Sequence, residues 1–315
     1  MGNRQGPEEH SAERAGRAGR AERNEPRSPG LGPDVDMGEL TGVALAARDG
    51  DPAALETLCK AMQQPMYRLA LRFSGTPADA EDAAQEVMIR LVTHLGSFEG
   101  RSRFTTWAYT VAVRQLMRTA RRGAEASVAS PEAFAAFLDR HATDPAFEPA
   151  RHAEYQELCA DVRLSCTYGM LLCLSREQRV AYLLGDLLRF TDAEGAEICG
   201  ISRAAFRQRL SRARSVMRQL MRERCGLVRA ANPCRCDRLV RASVDLGLTD
   251  PVNPRWARHA GVTLPIETTT VETAARELDL AVAVAEVYRS DPAFDAPPLL
   301  WTRLSKSLPT LVGPA

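Results

Sequence analysis

The sequence predicts an all-α protein in which a linker joins two small helical domains and a mostly helical extension follows. Three observations predict it. Alanine, leucine and arginine abound while aromatic residues make up 6% of the chain, a mixture that favours helices over sheets. From Thr41 onward apolar residues recur three and four apart over long stretches, which is the period of an amphipathic helix. Two helix starts are marked independently by capping boxes, Ser175 with Gln178 and Thr191 with Glu194. At 315 residues the chain is long enough for two or three such units, each burying its own core.

Residues 1–36 are rich in Gly, Pro, Glu and Arg and poor in large apolar groups, so a disordered tail is expected there. Residues 37–122 read as the first domain. Val43, Leu45 and Ala46 lie on its first helix. Asp51-Pro52 opens a second, with Leu55, Leu58, Met62, Met66, Leu69 and Phe73 on one side and Gly75 as its stop. Thr76 caps the next helix, Pro77 takes its first position, and Asp79 completes a box-like start. After the loop Ser97 to Ser102, a further helix carries Phe104, Trp107, Ala108, Val111 and Ala112 on one stripe and reaches Arg122. Residues 123–153 read as a linker in which Glu132 to His141 can form a short helix. Residues 154–228 are the second helical domain, and 229–315 an extension with a helix near Val271 to Tyr288. No internal repeat is evident.

The formal charge is +1, so any nucleic-acid surface must be a local patch. Lysine is almost absent and arginine carries the positive charge, which suits bidentate contacts to phosphate and guanine where arginines cluster. No run of about 18 apolar residues is present, and the N-terminus has no apolar core, so membrane insertion and secretion are not expected. Eight cysteines without a secretion signal point to reduced thiols or a metal site. A cytoplasmic protein is the expectation.

The sharpest local pattern begins at Thr191. A helix-turn-helix needs a small residue where its helices touch, a glycine at the turn and an apolar anchor in the second helix. Ala196, Gly200 and Phe206 stand at that spacing. Ser202 caps the second helix, whose buried side is expected to be Phe206, Leu210, Ala213 and Met217. The opposite side offers Arg203, Arg207, Gln208 and Ser211 beside Ala204, with Arg209, Arg212 and Arg214 flanking. Guanidinium forks match guanine, Gln matches adenine, and flanking arginines hold phosphates. A solvated basic helix in a bundle is the alternative reading.

A second basic surface follows the Ser97 to Ser102 loop, where Arg114, Arg118 and Arg121 fall on one helix face near Phe98, Arg101, Ser102, Trp107 and Tyr109. Aromatics beside arginines suit unstacked bases as well as phosphates. Phe104 and Trp107 lie on the apolar stripe, however, which favours core over base platform for both. An acidic group, Asp79, Glu81, Asp82 and Glu86 with Gln85, opens one helix. It complements the helix dipole, and it also fits a docking face for a basic partner.

These features, in this order, resemble the extracytoplasmic-function class of bacterial sigma factors. DAEDAAQEVMIRL from Asp79 with SFEGRSRFTTWAYTVAVRQLMRTARR looks like the family's region 2, and LSREQRVAYLLGDLLRFTDAEGAEICGISRAAFRQRLSRAR looks like its region 4. The resemblance implies a non-enzyme that binds core RNA polymerase through Asp79, Asp82, Gln85 and Glu86. It implies that Phe98, Arg101, Ser102, Trp107, Tyr109, Arg114, Arg118 and Arg121 engage and open the minus-ten element. It further implies that Ser202, Arg203, Ala204, Arg207, Gln208, Arg209, Ser211 and Arg212 read the minus-thirty-five element. An anti-sigma factor is a candidate partner. Where many members carry Asn, this chain has Arg114, so the minus-ten preference does not transfer. Phe206 is bulkier than the usual aliphatic anchor. The extension resembles a subgroup that carries one.

Cys225, Cys234 and Cys236 fall close together in sequence, and Cys166 and Cys173 precede region 4. No cofactor is required for the function implied. Zinc binding or redox sensing at Cys225, Cys234 and Cys236 is one reading, with a fourth ligand from Cys166, Cys173 or a distant residue such as His259, and ordinary buried or free thiols are the favoured one. Cys59 and Cys199 sit on apolar positions and read as core. Two rival functions stay open on sequence alone: an operator-binding helix-turn-helix regulator that needs no polymerase, and an enzyme with a DNA-binding appendage.

Overall fold

The computed structural model describes residues 40–120, 123–127, 130–142, 152–256, 280–289, 291–292 and 294–297. The expected tail at 1–36, and residues 271–279 of the expected C-terminal helix, lie outside them. Among the described residues regular structure is helical throughout, and the sole pairing of extended backbone is an isolated bridge between Cys225 and Cys234.

Four helices build the first bundle: α1 (Leu40–Arg48), α2 (Pro52–Ser74), α3 (Pro77–His94) and α4 (Phe104–Arg118). Asp51 caps α2 by accepting the N–H groups of Ala53 and Ala54, and Gly75 ends it in the left-handed region at φ 85°. All six residues of the expected α2 stripe, Leu55 to Phe73, are buried. Thr76 caps α3 through the Asp79 N–H, with Pro77 in its first turn. Helix α4 was expected to run to Arg122 but stops at Arg118, where Thr119 turns extended. The reason is tertiary: Arg176, far along the chain, donates to the carbonyls of Leu116, Met117 and Thr119, satisfying the last turn from outside.

The linker span carries α5 (Gly123–Ser127) and α6 (Pro131–His141), the latter capped by Ser130 and matching the expected short helix. The second domain follows as α7 (His152–Leu172), α8 (Arg176–Tyr182) with a π-helical turn at Leu183–Leu187, α9 (Asp192–Cys199) and α10 (Arg203–Arg224). Both expected capping boxes are formed. Helix α7 buries residues all round its C-terminal half, Leu164, Tyr168, Met170, Leu171 and Leu172 among them. That marks a central helix rather than a surface one.

The two domains do not keep separate cores. One apolar cluster runs from Met66 and Phe73 through Tyr168 and Leu174 to Phe206 and Met217, while a smaller one joins Leu138, Leu158, Val162, Leu239 and Val240. The extension supplies α11 (Cys236–Asp245) and α12 (Leu280–Arg289). Between them Trp256 is fully buried: its backbone N–H donates to Asp161 Oδ1 at 2.5 Å, its indole N–H to Ser165 Oγ at 2.9 Å, and its ring lies 4.6 Å from that of Tyr168. Further on, the Phe294 carbonyl accepts from Arg68 Nε at 3.0 Å and the Ala296 N–H donates to Gln64 Oε1 at 2.8 Å. The extension therefore grips α2 of the first domain and α7 of the second together.

Candidate nucleic-acid interface

The helix-turn-helix forms as its sequence demands. Thr191 caps α9, Gly200 turns the chain at φ 64°, and Ser202 caps α10 by accepting the Ala205 N–H at 3.2 Å. Phe206, Leu210, Ala213 and Met217 are all buried, and Arg203, Ala204, Arg207, Gln208, Ser211 and Arg212 are all exposed. The bulk of Phe206 is absorbed by Gly195, where a Cβ would stand 2.6 Å from Phe206 Cε2. Arg207 remains 62% exposed and lies 3.8 Å from Asp192, a distance at which a surface pair holds a side chain only loosely. Arg209 is half-buried. Arg214, grouped with the phosphate-holding flank by sequence, is instead engaged by Asp186 of the π-turn, with Nε at 3.0 and 3.1 Å and Nη2 at 2.5 Å. Its guanidinium is held charged chiefly by that hydrogen bonding.

The first-domain surface is divided. Arg101, Arg114 and Arg118 are exposed, Ser102 is half-buried, and Arg121 lies outside the described residues. Arg101 pairs with Glu99 at 2.5 Å. The aromatics expected beside them face inward: Phe98 is 1% and Tyr109 3% exposed, and Trp107 is half-buried. Phe98 packs on Phe104 and Trp107 with ring centres 5.4 and 5.5 Å away. Tyr109 meets Phe190 of the second domain edge-on at 4.9 Å, and burial pushes its phenol up to about 12. Placing Phe98 and Tyr109 on an accessible surface is therefore corrected for this conformation. Periodicity marks Tyr109 as neither stripe nor solvent, because what covers it comes from another domain.

On α3, Asp82 and Glu86 are exposed, while Asp79 and Gln85 are half-buried. Asp79 accepts from the Thr76 hydroxyl at 2.7 Å and Glu86 from Gln115 at 2.9 Å. Asp79, Asp82 and Glu86 line a cleft whose far wall is Thr119, Glu125 and Arg176. That wall was not foreseen. Glu125 of α5 forms ion pairs with Arg176 and Arg179 of α8, and Arg179 also donates to the Phe73 carbonyl at 2.6 Å. Both guanidiniums lie over the Phe73 ring. Burial alone would raise the Glu125 carboxyl; the Arg176 hydrogen bond and the two positive charges overcome it and hold the group below the usual carboxylate range. These partners lie 51 to 106 residues apart, so no sequence spacing could have signalled them.

All eight cysteines are unpaired thiols. Cys225 caps the end of α10, Cys234 is buried opposite it across the bridge, and Cys236 opens α11. As they stand, no three His, Cys, Asp or Glu side chains among the described residues hold a metal-ligating arrangement. Cys59 is buried and Cys199 packs against the core, as expected.

An acidic helix, an arginine helix behind a short loop, and a helix-turn-helix whose basic face is open together define a protein that docks on a larger partner and reads duplex DNA. The comparisons make the class specific. The Sigma-70 region 2 model matches residues 58–125 and the Sigma-70, region 4 model residues 164–217. The chain is 31% identical over 188 residues to the probable RNA polymerase sigma-C factor of Mycobacterium bovis, spanning 56% of this chain and 89% of that one. It is 31% identical over 193 residues to the ECF RNA polymerase sigma factor SigE of Mycolicibacterium smegmatis, spanning 58% and 68%. With SigJ of Mycobacterium tuberculosis it shares 33% over 162 residues, 50% of this chain and 48% of that. The chain belongs to the ECF RNA polymerase sigma factors, with additional residues beyond region 4. It binds core RNA polymerase and promoter DNA and directs initiation, leaving bond chemistry to the polymerase. A regulator acting without polymerase is set aside by the region 2 match.

Proposed function

We propose that α10 reads the minus-thirty-five element through Arg203, Arg207, Gln208 and Ser211 with Ser202, Ala204, Arg209 and Arg212 around them. Arg101, Arg114 and Arg118 then hold the minus-ten element, and Asp79, Asp82, Gln85 and Glu86 dock on the polymerase. The observation that carries the reading is the clean split of α10, apolar anchors buried and base-matching side chains exposed. Residues 37–122 act as region 2 and 154–228 as region 4, in the cytoplasm with the polymerase. No single described helix is long and apolar enough to cross a membrane. In transcription reconstituted with core polymerase, a matched promoter is used and a scrambled one is not. Arg207→Ala weakens that preference at the upstream element; unchanged discrimination rejects the assignment.

The described conformation is the closed state of this factor. Minus-ten and minus-thirty-five elements lie about 25 base pairs apart, on the order of 80 Å at 3.4 Å per pair. Here Tyr109 of α4 and Phe190, just before α9, are in ring contact, so the regions must part to read both. The extension opposes parting because it holds α2 through Phe294 and Ala296 and the π-turn through Arg289, whose Nε donates to the Asp186 carbonyl at 3.1 Å. An anti-sigma factor would act on the same equilibrium by favouring the closed form. Deleting residues 280–315 should raise promoter-specific transcription; equal activity with and without them removes the extension from this role.

A further inference from the structure

Helix α8 does not end in an ordinary α-helical turn. Its last turn, Leu183–Leu187, is π-helical, with the Leu188 N–H on the Leu183 carbonyl at 2.8 Å and the Phe190 N–H on the Leu184 carbonyl at 2.9 Å. Arg189 follows at φ 58°, a left-handed conformation that a residue other than glycine keeps only where its surroundings over-determine it. Wide turns of this kind are uncommon and collect at functional sites. This one leads directly into the helix-turn-helix, so its shape sets where α9 begins.

Asp186 lies within the turn and is held from two sides. Its carboxylate, almost fully buried, accepts Arg214 through both oxygens at 2.5 to 3.1 Å. Arg214 stands on the recognition helix two turns beyond Arg207. The Asp186 backbone carbonyl has lost the partners a continuing helix would give it, because the N–H groups of Phe190 and Thr191 are committed to the Leu184 carbonyl and to Glu194 Oε2. The donors it receives come from the extension: Arg289 Nε at 3.1 Å and Nη2 at 2.6 Å. The rest of α12 supports that placement. Val284 and Val287 lie in the shared core, and the Tyr288 ring meets that of Tyr182 in α8 edge-on at 6.0 Å. The turn also lies tight against α10, since a Cβ on Gly185 would stand 2.7 Å from Leu210 Cδ2. In packing this close, displacing the turn displaces the helix.

We propose that Arg289 is a positioning residue for upstream-element recognition: it fixes the π-turn through the Asp186 backbone, and the turn fixes the orientation of α10 through the Asp186–Arg214 pair. The inference rests on the assignment of α10 as the minus-thirty-five reader. It gives the extension a second role, separate from its hold on α2. Phe294 and Ala296 bind the first domain, whereas Arg289 bears on the second alone and keeps its contact when the first domain parts from it. Side chains that match base edges must be held to within about half an ångström, so loosening the turn lowers discrimination at bases that Arg289 never touches.

The test assembles the full chain with core polymerase and reads equilibrium binding to three duplexes: the matched promoter, one with the upstream element scrambled and one with the minus-ten element scrambled. Arg289→Ala should lower the preference for matched over upstream-scrambled DNA about threefold or more and leave the minus-ten preference unchanged. Asp186→Asn, which keeps the carbonyl but weakens the hold on Arg214, should lower the same preference. Arg289→Lys, which can still donate to the carbonyl, should restore most of it. Arg68→Ala loosens the extension at α2 and should leave both preferences in place. Circular dichroism restricts the comparison to folded variants. Arg207→Ala is the reference. If it lowers the upstream preference while Arg289→Ala does not, or if Arg289→Ala lowers both preferences alike, positioning by Arg289 is overturned and the assignment of α10 stands. If Arg207→Ala changes neither preference, the assignment and this inference fall together.

Discussion

The two surfaces proposed to read DNA in this sigma factor are prepared differently. On α10 the side chains that match base edges are already in solvent, and the residues beneath them are fully buried. On α4 the arginines are in solvent but the aromatic half of the surface is not. Phe98 is sealed under Phe104 and Trp107, and Tyr109 under Phe190 of the other domain. A helix-turn-helix is complete within one domain, because its own two helices set the angle and exposure of the second. The surface proposed for the minus-ten element shares its apolar residues with the seam between domains, so its availability depends on whether that seam is shut.

The largest effect should come from the seam's buried charges. Arg179→Ala leaves Glu125 with one guanidinium fewer in an apolar setting and removes donors to four backbone carbonyls. Breaking such a pair costs about 3–5 kcal/mol. Denaturant unfolding should show that loss, whereas Arg207→Ala on the open surface should leave stability within about 0.5 kcal/mol. Equal losses in the two variants would erase the contrast.

A pH dependence follows from Asp291, buried near Arg163 at 3.8 Å and pushed up to about 6 by burial, against the pull of Arg163 and Arg72. The folded carboxyl holds its proton more tightly than an unfolded one. The stabilisation is complete below the ordinary carboxylate range and is lost as pH rises through about 6, roughly 3 kcal/mol at most. Thermal unfolding followed from pH 4 to 7 should show the slope, and Asp291→Asn should flatten it. A slope unaltered by the substitution assigns it to other groups.

Smaller effects separate the surfaces further. Gly195→Ala forces a methyl against Phe206 and should cost about 1–3 kcal/mol, with DNA reading lost through a displaced α10. Arg207→Ala should cost about 1–3 kcal/mol against the matched upstream sequence only. Arg114→Ala should weaken binding alike on every sequence and lower the salt slope by about one. Sequence-selective loss in Arg114→Ala would instead make that arginine a base reader.

Much of the fold was legible. The α2 stripe, the caps at Thr76, Ser175, Thr191 and Ser202 and the turn at Gly200 are local devices, set by the period of the helix and by which side chain can reach a nearby N–H. The open face of α10 follows from the same period, so its candidate residues stand where the sequence puts them. Other expectations turned on distant partners. Helix α4 ends early because Arg176 takes its carbonyls. Arg214 is engaged by Asp186 of the π-turn, and Gly195 is needed because Phe206 fills the space above it.

The sequence by itself determined the helices, their order, their inward and outward faces and the family, since each depends on residues at most a few turns apart. Only the tertiary structure decided that the two domains share one core, that Phe98 and Tyr109 lie inside it, and that the extension bridges α2 and α7. Those outcomes rest on burial and charge shared across segments far apart in the chain, and one-dimensional spacing carries no record of such meetings.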